Sequence, residues 1–251
     1  MKRTIAVAVM AAMTTVMAAT PAQADPVRAL RAELRAGKGV KFRDVTALLQ
    51  NKAKIAFLWR AGTWQFGKQG VVASDITATY KQYDGAMFDY MRGLKGGRTI
   101  WVNGSSWTTH PVGEAPEGGT FEKDPFGMTG GQVGTYSQLV NPAEPATLKI
   151  LLQGRKQGRT YAGRLSYAVL AKVSPWFRAS FPFHQGDRTV LRYELTLGPD
   201  NLPRRLVTSH PAASHVSAGI EVGDGRFRVE TTYTGWGSKV SITAPPKSRI
   251  A

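Results

Sequence analysis

The sequence runs to 251 residues, carries 33 lysines and arginines against 17 acids, and contains no cysteine. The last fact excludes disulfides, a thiol nucleophile and a thiolate metal site, so the fold must rest on an apolar core, which a chain of this length can bury as one domain. A net charge of +16 bears on partners rather than on fold: outside a cell it suits phospholipid headgroups, wall polymers or extracellular DNA, unless the cations are merely scattered over a solvated surface.

Residues 1–24 have the form of an export signal. Lys2 and Arg3 supply the positive start, Ile5 to Met17 an apolar run, and Ala22-Gln23-Ala24 a small-x-small cleavage pattern before Asp25. The run is too short for a bilayer span of roughly 20 residues. Residues 25–251 are expected to form one exported domain with a net charge of +14, since the leader removes Lys2 and Arg3 only. A lipidated start would need a cysteine at the cleavage point, so release rather than anchoring is expected.

DPVRALRAELRAGKG (25–39) reads as a short amphipathic helix, with Asp25 as cap, Pro26 in the first turn and Gly37 at the end. Val27, Leu30 and Leu34 share one face; Arg28, Arg31 and Arg35 share another. Such a helix either packs its stripe on the protein body or lies on an anionic membrane surface. GVKFRDVTALLQ (39–50), KIAFLWRAGTWQF (54–66) and VVASDITATYKQY (71–83) then read as strands. TIWVNGSSWTTH (99–110) contains Asn103-Gly104, the strongest hairpin signal in the chain. Residues 111–137 are dense in Gly and Pro and read as a long surface excursion, with at most a short strand near Thr120–Lys123.

Two helices are expected next, NPAEPATLKILLQ (141–153) and RLSYAVLAKVSPW (164–176), the second capped by Ser166 and ended by Pro175, with QGRKQGRTYAG (153–163) between them as a basic turn entering a strand. VLRYELTLG (190–198) alternates cleanly, PDNLP (199–203) is a turn, and RRLVTSH (204–210) and FRVETTYTGW (227–236) follow as strands. SKVSITAP (238–245) is expected to complete a hairpin across Gly235-Trp236-Gly237. Half-polar strands of this kind belong to an antiparallel sheet with one wet face. About eight to eleven strands and three short helices make an α+β domain dominated by one sheet.

Catalytic signals are sparse. His110, His184, His210 and His215 sit in no metal-ligand spacing, and no serine occupies a G-x-S-x-G elbow. GMTGGQVG (127–134) lacks the Lys-Ser/Thr of a phosphate-binding loop. No catalytic residue, metal or cofactor is expected. Aromatic residues are plentiful instead: Phe57, Trp59, Trp64 and Phe66 within one run, then Trp101, Trp107, Trp176, Phe177, Phe181 and Phe183. By alternation Ile55, Phe57 and Trp59 point one way and Ala56 and Leu58 the other. These residues either fill the core or leave an apolar cleft of the kind that binds ligands.

Five stretches together resemble the LppX/LprG-type family of actinobacterial exported lipoproteins: LRAGKGVKF (34–42), EPATLKILL (144–152), RTYAGRLSYAVLAK (159–172), TLGPDNLPRRLVTSH (196–210) and TGWGSKVSITAPP (234–246). The resemblance runs in patches from about residue 26 to 246. It implies a LolA-like fold, a single strongly curved antiparallel sheet forming an incomplete barrel with helices on its concave side. It also implies a non-enzymatic protein that binds a lipid or other amphiphile between sheet and helices. Leu148, Leu151, Leu152, Leu170 and Val173, with Trp176, would then form the helical wall, and Phe57, Trp59, Trp64, Phe66 and Trp101 the sheet wall.

Family members start at a lipidated cysteine; here positive charge would substitute, at roughly 1 kcal/mol per basic residue near an anionic surface. Arg28, Arg31, Arg35, Lys38, Arg155, Lys156 and Arg159 are the candidate contacts. The same cations support a second reading, an adhesion module for anionic wall polymers. Nucleic acid is not expected, since no recognition motif accompanies the charge, and the chain is expected to be a monomer.

Overall fold

A computed structural model describes residues 25–68, 70–84, 88, 96–109, 120–124, 136–180, 186–212 and 224–251. The expected export signal, most of the 111–137 excursion, and Phe181, Phe183, His110, His184 and His215 lie outside the described residues. The N-terminal helix forms where its capping residues place it: α1 spans Pro26–Glu33, and the Asp25 side chain accepts the Val27 amide at 3.1 Å. Leu30 and Leu34 are buried while Arg28 and Arg31 face solvent.

The strands that follow are β1 (Lys38–Gln50), β2 (Ala53–Gly67), β3 (Gly70–Tyr80), β4 (Gly97–Val102), β5 (Ser105–Thr108) and β6 (Glu122–Asp124). After α2 (Pro145–Leu151) come β7 (Arg155–Gln157), β8 (Thr160–Ser166), α3 (Tyr167–Val173), α4 (Pro175–Ser180), β9 (Val190–Leu197), β10 (Pro203–Pro211) and β11 (Arg226–Lys239). The strands form a single eleven-stranded antiparallel sheet in the order β6-β5-β4-β3-β2-β1-β11-β10-β9-β8-β7. Two meanders are thus joined at its centre by the pairing of β1 with β11. Asn103 and Gly104, both at positive φ, make the tight turn between β4 and β5. The edges β6 and β7 do not pair with each other, so the sheet is open, neither closed nor strongly curled, in place of the expected incomplete barrel.

Three local expectations are corrected. In β2, Leu58 lies opposite Thr46 but Ala56 lies opposite Ala47, leaving Phe57 as an extra residue. This bulge resets the pleat: Phe57 and Leu58 are both buried, and Trp59 turns to the other face with 37% of its surface exposed. The alternation that grouped Trp59 with Phe57 therefore fails at that residue. At the C-terminal end there is no hairpin, because β11 runs straight through Gly235 and Gly237. Lys41 pairs with Thr234 and Gly39 with Ser238, so residues 235–237 bulge out of the ladder, with both glycines at positive φ. Trp236 leans over this bulge, stacked on Phe66 at 5.8 Å and donating from Nε1 to the Pro203 carbonyl at 2.7 Å.

The third correction concerns residues 136–144. Tyr136 and Ser137 were expected in a surface excursion and 141–144 in a helix; all nine residues are buried and form an irregular strap across the inner face of the sheet. Pro145 explains why α2 starts no earlier, since the residue before a proline is driven out of the helical region, and Glu144 sits at φ −93°, ψ 118°. Arg164–Ser166 belong to β8, although Ser166 does cap α3 by accepting the Val169 amide at 3.2 Å. Pro175 does not merely end a helix but opens α4, where its missing N–H costs nothing. All described helices are short, none long and apolar enough to cross a membrane.

Candidate functional site

The inner face carries most of the residues expected to line a cavity, but as packed core. Phe57 meets Phe227 at 5.7 Å and Tyr136 at 6.2 Å, and Trp64 meets Trp176 at 5.1 Å and Tyr233 at 5.9 Å. Phe66, Leu148, Leu151 and Leu170 are fully buried, and Leu152 packs against them from the rim. The strap fills the space between these strands and the helices, where the sequence suggests a cleft.

Polar residues hold that layer in place. Asp44, on β1, lies opposite Arg60 on β2 and Thr231 on β11. The Arg60 guanidinium donates from Nη2 to Oδ2 of Asp44 at 2.6 Å and from Nε to both carboxylate oxygens at 3.1 and 3.2 Å, with neither side chain exposed. The guanidinium also lies over the Phe42 ring. Beside the pair, burial and then the Asp44 charge push the Tyr233 hydroxyl far above its usual range. Gln138 of the strap accepts the Val140 amide and the Thr208 hydroxyl at Oε1, 3.2 and 3.0 Å away, and donates from Nε2 to Thr231 Oγ1 at 3.1 Å.

Glu144 ends the strap and ties two helices to it. Its carboxylate accepts from Thr147 Oγ1 at 2.8 Å, Ser174 Oγ at 2.5 Å and the Trp176 amide at 2.7 Å. Burial nevertheless outweighs these bonds and raises its pKa above the ordinary glutamate value of 4.5. A carboxyl raised on folding contributes stability that is complete below the unfolded pKa and is lost as pH rises through the folded one. Relative to Glu144→Gln, the wild-type protein is therefore expected to be most favoured near pH 4 and to lose that advantage towards pH 7. Urea midpoints of both proteins at the two pH values check this; a gap that stays constant or widens with pH contradicts it.

Three of the residues expected to wall a cavity meet at a groove. Trp101 of β4, Val173 of α3 and Trp176 of α4, with Val71 and Val72 of β3, line a cavity of about 550 Å³. Asn141 and Glu144 of the strap and Ala146 and Ala179 of the helices complete its wall. Asn141 is 1% exposed; its Oδ1 accepts the Ala143 amide at 2.8 Å, while its Nδ2 has no hydrogen-bond partner among the described residues. A buried, unsatisfied amide donor beside an apolar groove is costly unless something accepts from it. Sequence reasoning missed Asn141, having assigned it to a helix. Its signal was the Asn-Pro pair, which favours a turn.

A larger concavity of about 660 Å³ lies on the opposite, outer face, bordered by Lys41, Arg43, Asp75, Thr77, Arg98, Thr232 and Thr234 together with Phe42, Ala61, Gly62 and Thr63. Asp75 holds Arg98 there at 2.7 Å. Of the seven cations named from the sequence, Arg28, Arg31, Arg35, Arg155, Lys156 and Arg159 are exposed and Lys38 half-buried. Lys156 and Arg159 border a small cavity together with Pro26 of α1, so the β7–β8 turn and the start of α1 are neighbours. Trp59 stands on the outer face, away from the groove.

No family model and no curated protein matches the chain. Among solved structures it has a distant similarity to a LolA superfamily protein, NE2245 from Nitrosomonas europaea, with 8% identity and a TM-score of 0.27 over 89% of this chain and 94% of that one. A DUF1329 family protein from Desulfovibrio piger follows at 7% identity and TM-score 0.26, covering 83% and 92%. The ywiB protein from Bacillus subtilis stands at 8% and 0.20, covering 79% and 92%. Likenesses this distant assign neither a ligand nor an activity.

Proposed function

We propose that this chain is a non-catalytic binding protein that holds a lipid or other amphiphile in the groove between β3–β4 and the α2–α4 helices. The observation that carries this reading is the groove itself: about 550 Å³ walled by Val71, Val72, Trp101, Val173 and Trp176, with one buried amide donor at Asn141. Volume and lining fall in the usual range for small-molecule sites, which are mostly apolar with a few placed polar groups. An apolar tail would lie against the tryptophans and valines, and a carbonyl or hydroxyl oxygen would accept from Asn141 Nδ2. In this reading the chain is an exported, non-lipidated relative of the LppX/LprG-type proteins. In the same reading it acts as a monomer outside the cell.

Native mass spectrometry of protein from its own host, and titration with a fluorescent fatty acid, test the reading. Bound amphiphile is expected in the first and saturable binding in the second. Ala146→Trp and Ala179→Trp fill the groove from its helical wall and are expected to abolish probe binding with the melting temperature preserved. Ligand-free spectra with no probe binding, or full binding by both variants, would reject it.

A further inference from the structure

The outer face of the sheet, remote from the groove, arranges its charges in rows. Strand register places Arg164 of β8 opposite Arg192 of β9, Arg192 opposite Ser209 of β10, and Ser209 opposite Arg228 of β11. The one neutral position is covered by a fourth arginine: Arg226 donates from Nε to Ser209 Oγ at 3.1 Å and from Nη2 to the Ser209 carbonyl at 3.0 Å. Four guanidinium groups thus follow one another across four adjacent strands. At a strand spacing of about 4.8 Å the row is roughly 15 Å long.

The outward acids of β8–β11 belong to the next row. Glu230 accepts from Arg205 and Arg228, and Glu194 from Arg205. Arg205 first, by its hydrogen bond, holds the Glu230 carboxyl down at about 2. Arg164, Arg192 and Arg226 have no acidic partner among the described residues. Like charges directly opposite across a ladder are destabilising, and burial, followed by the charges of Arg192 and Arg164, lowers the Arg226 pKa. The fold tolerates a repulsive contact here that a single Arg→Glu change would relieve.

We propose that this arginine row binds a linear phosphate-bearing polymer laid across β8–β11 at right angles to the strands. A planar carboxylate is satisfied by one guanidinium fork, whereas a tetrahedral phosphate presents oxygens to two neighbouring forks at once. Successive phosphates along a chain can therefore bridge successive arginines. Recognition is of the backbone alone: the outward positions around the row include Thr160, Ala162, Val190, Thr196 and Val207, and none of these offers an aromatic ring on which a base could stack. The exposed Trp59 lies two strands beyond β11.

Titration of the full chain with long-chain inorganic polyphosphate, followed by anisotropy over a range of salt, tests the assignment. Arg164→Ala/Arg192→Ala is expected to weaken binding at least tenfold and to lower the salt slope by about 1.4, two phosphate contacts at roughly 0.7 each. Lys68→Ala/Lys123→Ala, exposed lysines on the other half of the sheet with the same change in net charge, is expected to bind within twofold of wild type. Arg192→Glu is expected to lose binding while raising the melting temperature by about 1–3 °C, through a new pair with Arg164; this separates loss of the site from loss of the fold. Equal loss in both double variants would overturn the site in favour of net charge. Equal affinity for poly-glutamate, competition by orthophosphate at the same phosphate concentration, tighter binding of single-stranded DNA, or row-dependent binding to anionic vesicles would each overturn the choice of partner.

Discussion

Replacing Asp44 with alanine is expected to lower the unfolding free energy by about 3–5 kcal/mol, enough to remove much of the stability of a typical domain. The Arg60 guanidinium would stay at zero exposure over Phe42 while losing the facing carboxylate and the three hydrogen bonds it donates to it from Nε and Nη2, and removing one partner of a buried ion pair is strongly destabilising. The pair itself is a poor source of stability, because burying both ions costs nearly as much as their attraction returns. Asp44→Leu/Arg60→Met, an apolar replacement of similar volume, is therefore expected to recover most of the loss or exceed wild type. Urea denaturation of the single and double variants checks both statements. A single variant within about 1 kcal/mol of wild type would contradict the first statement.

Gln138→Ala is expected to cost about 2–4 kcal/mol by the same measurement. One side chain serves three partners, and its removal leaves the Val140 amide and the hydroxyls of Thr208 and Thr231 buried together without Gln138. The effect should reach the groove, because the strap that Gln138 pins continues through Asn141 to Glu144, and Trp176 Nε1 donates to the Gln138 carbonyl. Fatty-acid binding by Gln138→Ala is accordingly expected to weaken even under conditions where the variant is folded. Gln138→Glu keeps the acceptor but loses the donor to Thr231, and should fall between the two in stability.

The proposed activities occupy opposite faces of one sheet. The inner face, shielded by the strap and helices, presents the apolar groove; the outer face presents arginine in rows. Reversing charge at Arg192 leaves the groove untouched, and filling the groove at Ala146 leaves the row untouched. Each can therefore be lost without the other.

The strands themselves were legible in the sequence. Period-two alternation in VLRYELTLG and RRLVTSH, the Asn103-Gly104 turn, and the capping pattern of Asp25-Pro26 and Ser166 each act within a few residues, and local sterics and hydrogen bonding decide them. Even the buried pair left a trace: in β1 the inward register Val40, Phe42, Asp44, Thr46, Leu48 carries a carboxylate where an apolar residue belongs. What the tertiary structure alone decided depends on partners distant in sequence. The bulge at Phe57, set by the pairing of β1 with β2, sent Trp59 to the outer face, and the partner strand turned Gly235-Trp236-Gly237 into a bulge inside one strand. The strap was invisible because its residues satisfy their polar groups across more than 90 positions of chain, as Gln138 does with Thr231. It occupies the place where apolar composition suggested a cavity, leaving the groove at its end, where the helices and β3–β4 do not meet. The arginine row is invisible for the same reason: Arg164, Arg192, Arg226 and Arg228 are scattered in sequence, and only strand register sets them side by side.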